Sequence, residues 1–254
     1  MASNEAVSKE RRVIADRVID RRAARLRSLR LTILLDGSYW LELKENAPEN
    51  RGMFRPVSSA YLDDEPIWPS RLLEKIAVFQ AEPWAFEPSC DAAIYLHDRT
   101  CQSIESLTMT LAHELQHAIQ YGAARPIWAI NTVVTNLPKE LIEKHQLQWS
   151  DIPIEREARI FAKRVCEEVI GSDRTAQYIR DRIAHGTVQR DVDDWKFIEA
   201  IDTKRASNYD LSRETHKLLC SIESCRPALE DILNGLPHQP EFADLRVRDI
   251  LKGV

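Results

Sequence analysis

Leu111-Ala112-His113-Glu114-Leu115-Gln116-His117-Ala118-Ile119 is the stretch around which the whole chain can be read. It holds one H-E-x-x-H pattern. At about 100° per residue on a helix, His113 and His117 lie only about 40° apart, one turn above the other, so both imidazoles can converge on one ion. Glu114 sits beside them, where its carboxylate can take a proton from an attacking water. Helical bookkeeping puts Ile104, Leu107, Leu111, Leu115, Ala118 and Ile119 on one side. His113 points almost opposite, in company with Ser106, Thr110, Gln116, His117 and Gln120. Such a helix either lies on the surface with a polar face that carries two histidines, or buries one face and lines a wet cleft with the other. Its expected span is Ser103 to Tyr121, with Gly122 as the stop.

A third ligand separates these readings, because catalytic zinc usually takes three protein ligands and keeps a fourth position for water. A second helical pattern follows Pro153, runs to about Ile170 and closes at Gly171. Its apolar stripe is Ile154, Ala158, Phe161, Ala162, Val165 and Val169. Glu155 lies along the edge of that stripe, whereas Glu157 projects on the far side near Arg164. A carboxylate against an inward-facing stripe is costly unless something pairs with it, and a metal ion would do so. Small Ala158 and Ala162 would let the two helices approach closely. The stripe favours Glu155 as third ligand and leaves Glu157 as the alternative. The competing explanation of Glu155 is a carboxylate favoured by the helix N-terminus.

Ahead of the first helix, Ala92 to His97 reads as a strand followed by a turn at Asp98-Arg99-Thr100. As an edge strand it would lie where a peptide substrate could add to the sheet. Leu31 to Leu35 and Tyr39 to Leu43, around Asp36-Gly37-Ser38, read as two short strands about a turn. Lys44 to Ser59, with two prolines and a glycine, reads as a loop, and Arg71 to Ala81 is ambiguous between helix and strand. Further helices are expected at Lys139 to Gln146 and near 174–185, 208–222 and 226–234. Glu5 to Arg30 reads as an amphipathic helix on Ala15, Ile19, Ala23 and Leu26. Its second half carries Arg17, Arg21, Arg22, Arg25, Arg27 and Arg30, interleaved with Asp16 and Asp20. A solvated face is the usual meaning of such a run, and contact with nucleic-acid phosphates is the alternative.

The 254 residues, 44% of them hydrophobic, can bury a substantial core. A net charge of -5 with both signs mixed gives no global attraction to nucleic acid. Cys90, Cys101, Cys166, Cys220 and Cys225 form an odd set without C-x-x-C, which points to reduced thiols rather than a disulfide framework. No apolar run approaches the roughly 18 residues of a membrane span and no signal-type apolar segment is seen, so the expected compartment is the cytoplasm.

The strand Ala93-Ile94-Tyr95-Leu96, then Thr110-Leu111-Ala112-His113-Glu114-Leu115-Gln116-His117, then Glu155-Arg156-Glu157-Ala158-Arg159-Ile160-Phe161-Ala162 resembles the zincin metallopeptidases with a glutamate third ligand. The resemblance is closest to the ImmA/IrrE-like family and covers about residues 90–170. It implies His113, His117 and Glu155 as ligands of Zn2+, Glu114 as general base, and hydrolysis of a peptide bond in a specific intracellular protein. Relatives that cleave repressors give a regulatory role by analogy alone.

Two features depart from the pattern. Related membrane-associated zincins carry Asp four residues after the ligand Glu, where this chain has Arg159. The segment between the motifs, with Trp128 and Trp149, is longer and more helical than in minimal members. No N-terminal helix-turn-helix domain is evident. Candidates to steady an oxyanion are His145, Tyr178 and His185, with His97 reaching in from the strand end. The rival function is a non-catalytic zincin-fold binding or regulatory module acting through its N-terminal or C-terminal helices. A metal-dependent hydrolase with a non-peptide substrate is the third.

The expected fold class is therefore α+β and predominantly helical. Its zincin-like core would be a small sheet packed on the H-E-x-x-H helix and on a second ligand helix. The expected division is a basic N-terminal helix over 1–30, the core over 31–171, and a helical C-terminal extension over 172–254 packed on that core.

Overall fold

The computed structural model describes residues 4–20, 31–35, 52–56, 92–123, 127–128, 131 and 148–221. In chain order these form α1 (Asn4–Asp20), β1 (Leu31–Leu35), β2 (Gly52–Pro56), β3 (Ala92–Leu96), α2 (Ile104–Ala123), α3 (Pro153–Val169), α4 (Ser172–Ala184), α5 (Gln189–Ala200) and α6 (Leu211–Ser221). The described part is mostly helical, with one small three-stranded sheet in the order β1-β3-β2. β1 runs parallel to β3, with Ile33 opposite Ile94. β2 runs antiparallel to it, with Phe54 opposite Ile94.

This topology corrects two expectations. β3 is not an edge strand: both its sides are paired, and Ala92, Ile94 and Leu96 are buried on one face by period-two alternation. The segment expected to be a loop, Lys44 to Ser59, contributes β2, an outer strand of the described sheet. The strand expected at Tyr39 to Leu43 lies outside the described residues, as do the segments expected to be helical at Lys139 to Gln146 and 226–234, the ambiguous Arg71 to Ala81, and the arginine-rich run 21–30.

α2 continues through Gly122 to Ala123 instead of stopping at Tyr121. Its apolar side forms the centre of the core, with Leu107, Leu111, Leu115 and Ala118 packed against Ile94 and Leu96 of β3, Phe161 and Val165 of α3, and Val18 of α1. Each such fully buried leucine contributes about 1.5–3 kcal/mol relative to an exposed one. The polar side of α2 is covered as well: Ser106, Gln116, His117 and Gln120 are all buried. The helix is therefore wrapped, and the surface-helix alternative does not describe it.

α3 starts with Pro153 in its first turn, where the missing N–H costs nothing. Ala158 and Ala162 are buried, and α3 runs closely along α2. At its end Gly171 adopts φ +94°, a conformation that favours glycine, and turns the chain into α4. α5 has no counterpart in the sequence-based expectation, whereas α4 and α6 match the segments expected near 174–185 and 208–222.

One edge of α3 carries Glu155, Arg159, Lys163 and Glu167, each a turn apart. Arg159 donates to Asp194 of α5 at 2.6 Å. Lys163 donates to the carbonyls of Glu199 and Ile201 at 2.8 and 2.7 Å, closing the C-terminal end of α5. Glu167 accepts from Thr203 at 2.6 Å. α5 buries Ile198, packs half-buried Trp195 and Phe197 against the core, lies mainly along α4, and is tied to α3 by the bonds of Arg159 and Lys163. Among the described residues no helix is long and apolar enough to cross a membrane.

Candidate metal centre

His113 and His117 leave α2 one turn apart, and Glu155 leaves the first turn of α3 to meet them. The two Nε2 atoms stand 3.0 Å apart. Glu155 Oε2 lies 3.3 Å from His113 Nε2, and Oε1 lies 3.4 Å from His117 Nε2. Zinc at about 2.0–2.1 Å from tetrahedral ligands sets those ligands about 3.3–3.4 Å from one another. The three side chains thus come close to that spacing, and their N, N, O donor set could hold a metal ion. Glu157 does not join them.

The protonation states also suit ligation. Burial lowers the His117 imidazole to about 4, which leaves it neutral at pH 7. Its tautomer follows from the hydrogen bonds around it. Gln120 Nε2 donates to the Ile154 carbonyl at 2.9 Å and to Glu157 Oε2 at 2.8 Å, so the amide oxygen faces the histidine. His117 Nδ1 then donates to Gln120 Oε1 at 2.8 Å, and the Nε2 lone pair points towards Glu155 and His113. Glu157 also accepts from Gln116 at 3.0 Å. Glu157, expected on the far side of α3 near Arg164, instead faces α2 and anchors the amides that orient a ligand, while Arg164 pairs with Glu168. Burial alone would raise the Glu155 carboxyl, but the His117 and His113 imidazoles and the Arg159 guanidinium outweigh it and hold the group below its usual range.

Glu114 points elsewhere. It is only 6% exposed and lies beneath β2, where the Phe54 main-chain N–H donates to it. Burial pushes its carboxyl up to about 7, against the opposing pull of His113. β2 can come this close because residue 52 is glycine. A Cβ there would lie 2.5 Å from Thr110 Cγ2 and 3.0 Å from Glu114 Cγ and Oε1.

A cleft of about 190 Å³ opens beside His113 and Glu114. Met109, Ala162 and Ile198 give it apolar walls, and Arg182, Asp194 and Trp195 line it from the α4–α5 side. Trp195 is held edge-on by Tyr178, with centroids 5.5 Å apart, and Arg182 lies 5.5 Å above its ring. A region expected to be an extension thus supplies one wall of the cleft.

The oxyanion candidates are placed elsewhere. His97 accepts from the Arg99 N–H at 2.9 Å and caps the turn after β3. His185 lies exposed at the end of α4, 2.8 Å from the Asp181 carbonyl. Tyr178 packs behind Trp195, and His145 lies outside the described residues. Sequence reasoning missed Gln120, Asp194, Arg182 and Gly52, whose roles depend on partners distant in the chain. Comparison of the chain with known protein families, with characterised proteins and with solved structures found no match.

Proposed function

We propose that this chain is a zinc-dependent peptidase of the zincin type, with His113, His117 and Glu155 as ligands and Glu114 as general base. The observation that carries it is the meeting of the three donor groups at 3.0–3.4 Å, with a fourth buried carboxyl beside them but outside their group. The small sheet packed on α2, with α3 bringing the third ligand, is in keeping with a zincin-like core. When bound, zinc would polarise the scissile carbonyl and ease ionisation of the attacking water. Glu114, with a value near 7, is suited to take the water's proton at neutral pH and return it to the leaving amine. Gln120 and Glu157 hold His117 in the tautomer that leaves Nε2 free. β2, an outer strand of the described sheet, lies directly above Glu114. The substrate is then a specific intracellular protein, and a regulatory role follows by analogy with the family resembled.

The test begins with metal analysis of protein purified without added zinc, which should find close to one zinc per chain. Glu114→Gln should keep the metal and lose proteolysis, read as new protein N-termini in cells carrying wild type against cells carrying the variant. Identical fragment patterns would remove the peptidase reading and favour a non-catalytic module.

A further inference from the structure

Beside the candidate ligand Glu155, α3 places a buried guanidinium. Arg159 is 7% exposed, and one Nη donates to Glu155 Oε2 at 3.2 Å while the other donates to Asp194 Oδ2 at 2.6 Å. A cation one hydrogen bond from a metal ligand opposes binding of a dication, because like charges in a buried site repel strongly. Asp194 supplies the missing negative charge from α5, the wall of the cleft. We propose that the Arg159–Asp194 pair couples the metal site to the seating of α5, with Asp194 acting as a positioning residue on Glu155 through Arg159. This rests on the metal-site reading above.

Coupling of this kind is reciprocal. If Asp194 strengthens metal binding, then bound metal strengthens the hold on α5. Lys163 provides the internal comparison. It fastens the same helix through the Glu199 and Ile201 carbonyls, on a path that bypasses Glu155. Loss of general docking and loss of the ion pair are therefore separable.

Zinc affinity of the full chain, measured by competition with a chelator, should fall about tenfold or more in Asp194→Asn and stay within about twofold in Lys163→Met. Lys163→Met should instead lower the thermal midpoint. Arg159→Lys keeps the charge but lacks the planar fork that bridges two carboxylates, so it should weaken zinc as Asp194→Asn does. Hydrogen exchange of the amides over 189–200 should slow on adding zinc to wild type and stay unchanged in Asp194→Asn. Unaltered zinc affinity in Asp194→Asn, or an equal loss in Lys163→Met, would overturn the proposal while leaving the metal site standing. A wild-type chain that takes up no zinc removes both.

Discussion

Glu114→Gln should alter how the metal-free protein responds to pH. Burial holds His117 at about 4 against its ordinary 6.5, and Glu114 at about 7 against its ordinary 4.5. The folded value of Glu114 is raised, so the stability it contributes is complete below about pH 4.5 and is lost as pH rises through 7. The folded value of His117 is lowered, so its contribution is complete above pH 6.5 and is lost as pH falls towards 4. Each value stands about 2.5 from its ordinary one, and a displacement of one corresponds to about 1.4 kcal/mol. The two contributions are each on the order of 3 kcal/mol and opposite in sign, so they largely cancel between pH 4.5 and 6.5. Glutamine keeps the size of the side chain and can still accept from the Phe54 N–H, but it does not titrate. Urea unfolding in the presence of chelator should therefore give wild type a nearly flat stability across that window. Glu114→Gln should lose on the order of 2–3 kcal/mol as pH falls through it. Parallel profiles for the two proteins would refute the opposed burial of Glu114 and His117.

Gly52→Ala should lower stability by about 1–3 kcal/mol in thermal or urea unfolding, since the added methyl meets Thr110 and Glu114 and forces β2 off α2. An unchanged midpoint would show that β2 can yield there. Glu157→Ala frees Gln116 and Gln120 and should weaken zinc binding about tenfold, whereas Glu155→Ala should abolish stoichiometric retention. The reverse order in a chelator competition would exchange the two roles. Burial pushes the Cys166 thiol well up, and its sulfur lies 3.9 Å from Met109 Sδ. In the native chain iodoacetamide should therefore label half-buried Cys101 and spare Cys166, with peptide mass spectrometry as the readout.

The parts of this fold that were legible in the sequence are those specified by local periodicity. α2 and α3 both show apolar stripes of helical period, and the stripe on α3 favours Glu155 over Glu157, although it does not foretell that Glu157 also turns towards α2 to meet Gln116 and Gln120. β2 was not legible because Gly52 and Pro56 read as loop residues, while its strand character comes from pairing with β3. Gly52 is explained by the close approach of a helix more than fifty residues on, a tertiary cause with no local signal. α5 was missed for a different reason. Its only fully buried residue is Ile198, and its remaining apolar contacts, by Trp195 and Phe197, are half-buried and interleaved with acidic residues, so no continuous stripe shows. Arg159 stood out as a departure from the family pattern, yet its partner Asp194 is 35 residues away and nothing nearby announces it.

The polar ridge of α3 has a consequence for how the sequence can change over evolutionary time. Two of its members are matched to side chains, Arg159 to Asp194 and Glu167 to Thr203, and a change at either end leaves the other mismatched. Substitutions at 159 and 194 should therefore travel together among descendants of this chain, as should those at 167 and 203. Lys163 is matched to main-chain carbonyls, which no substitution at 199 or 201 removes. Its inheritance should be independent of those two positions, so of the three ridge residues beyond Glu155, drift would be paired at Arg159 and Glu167 and solitary at Lys163.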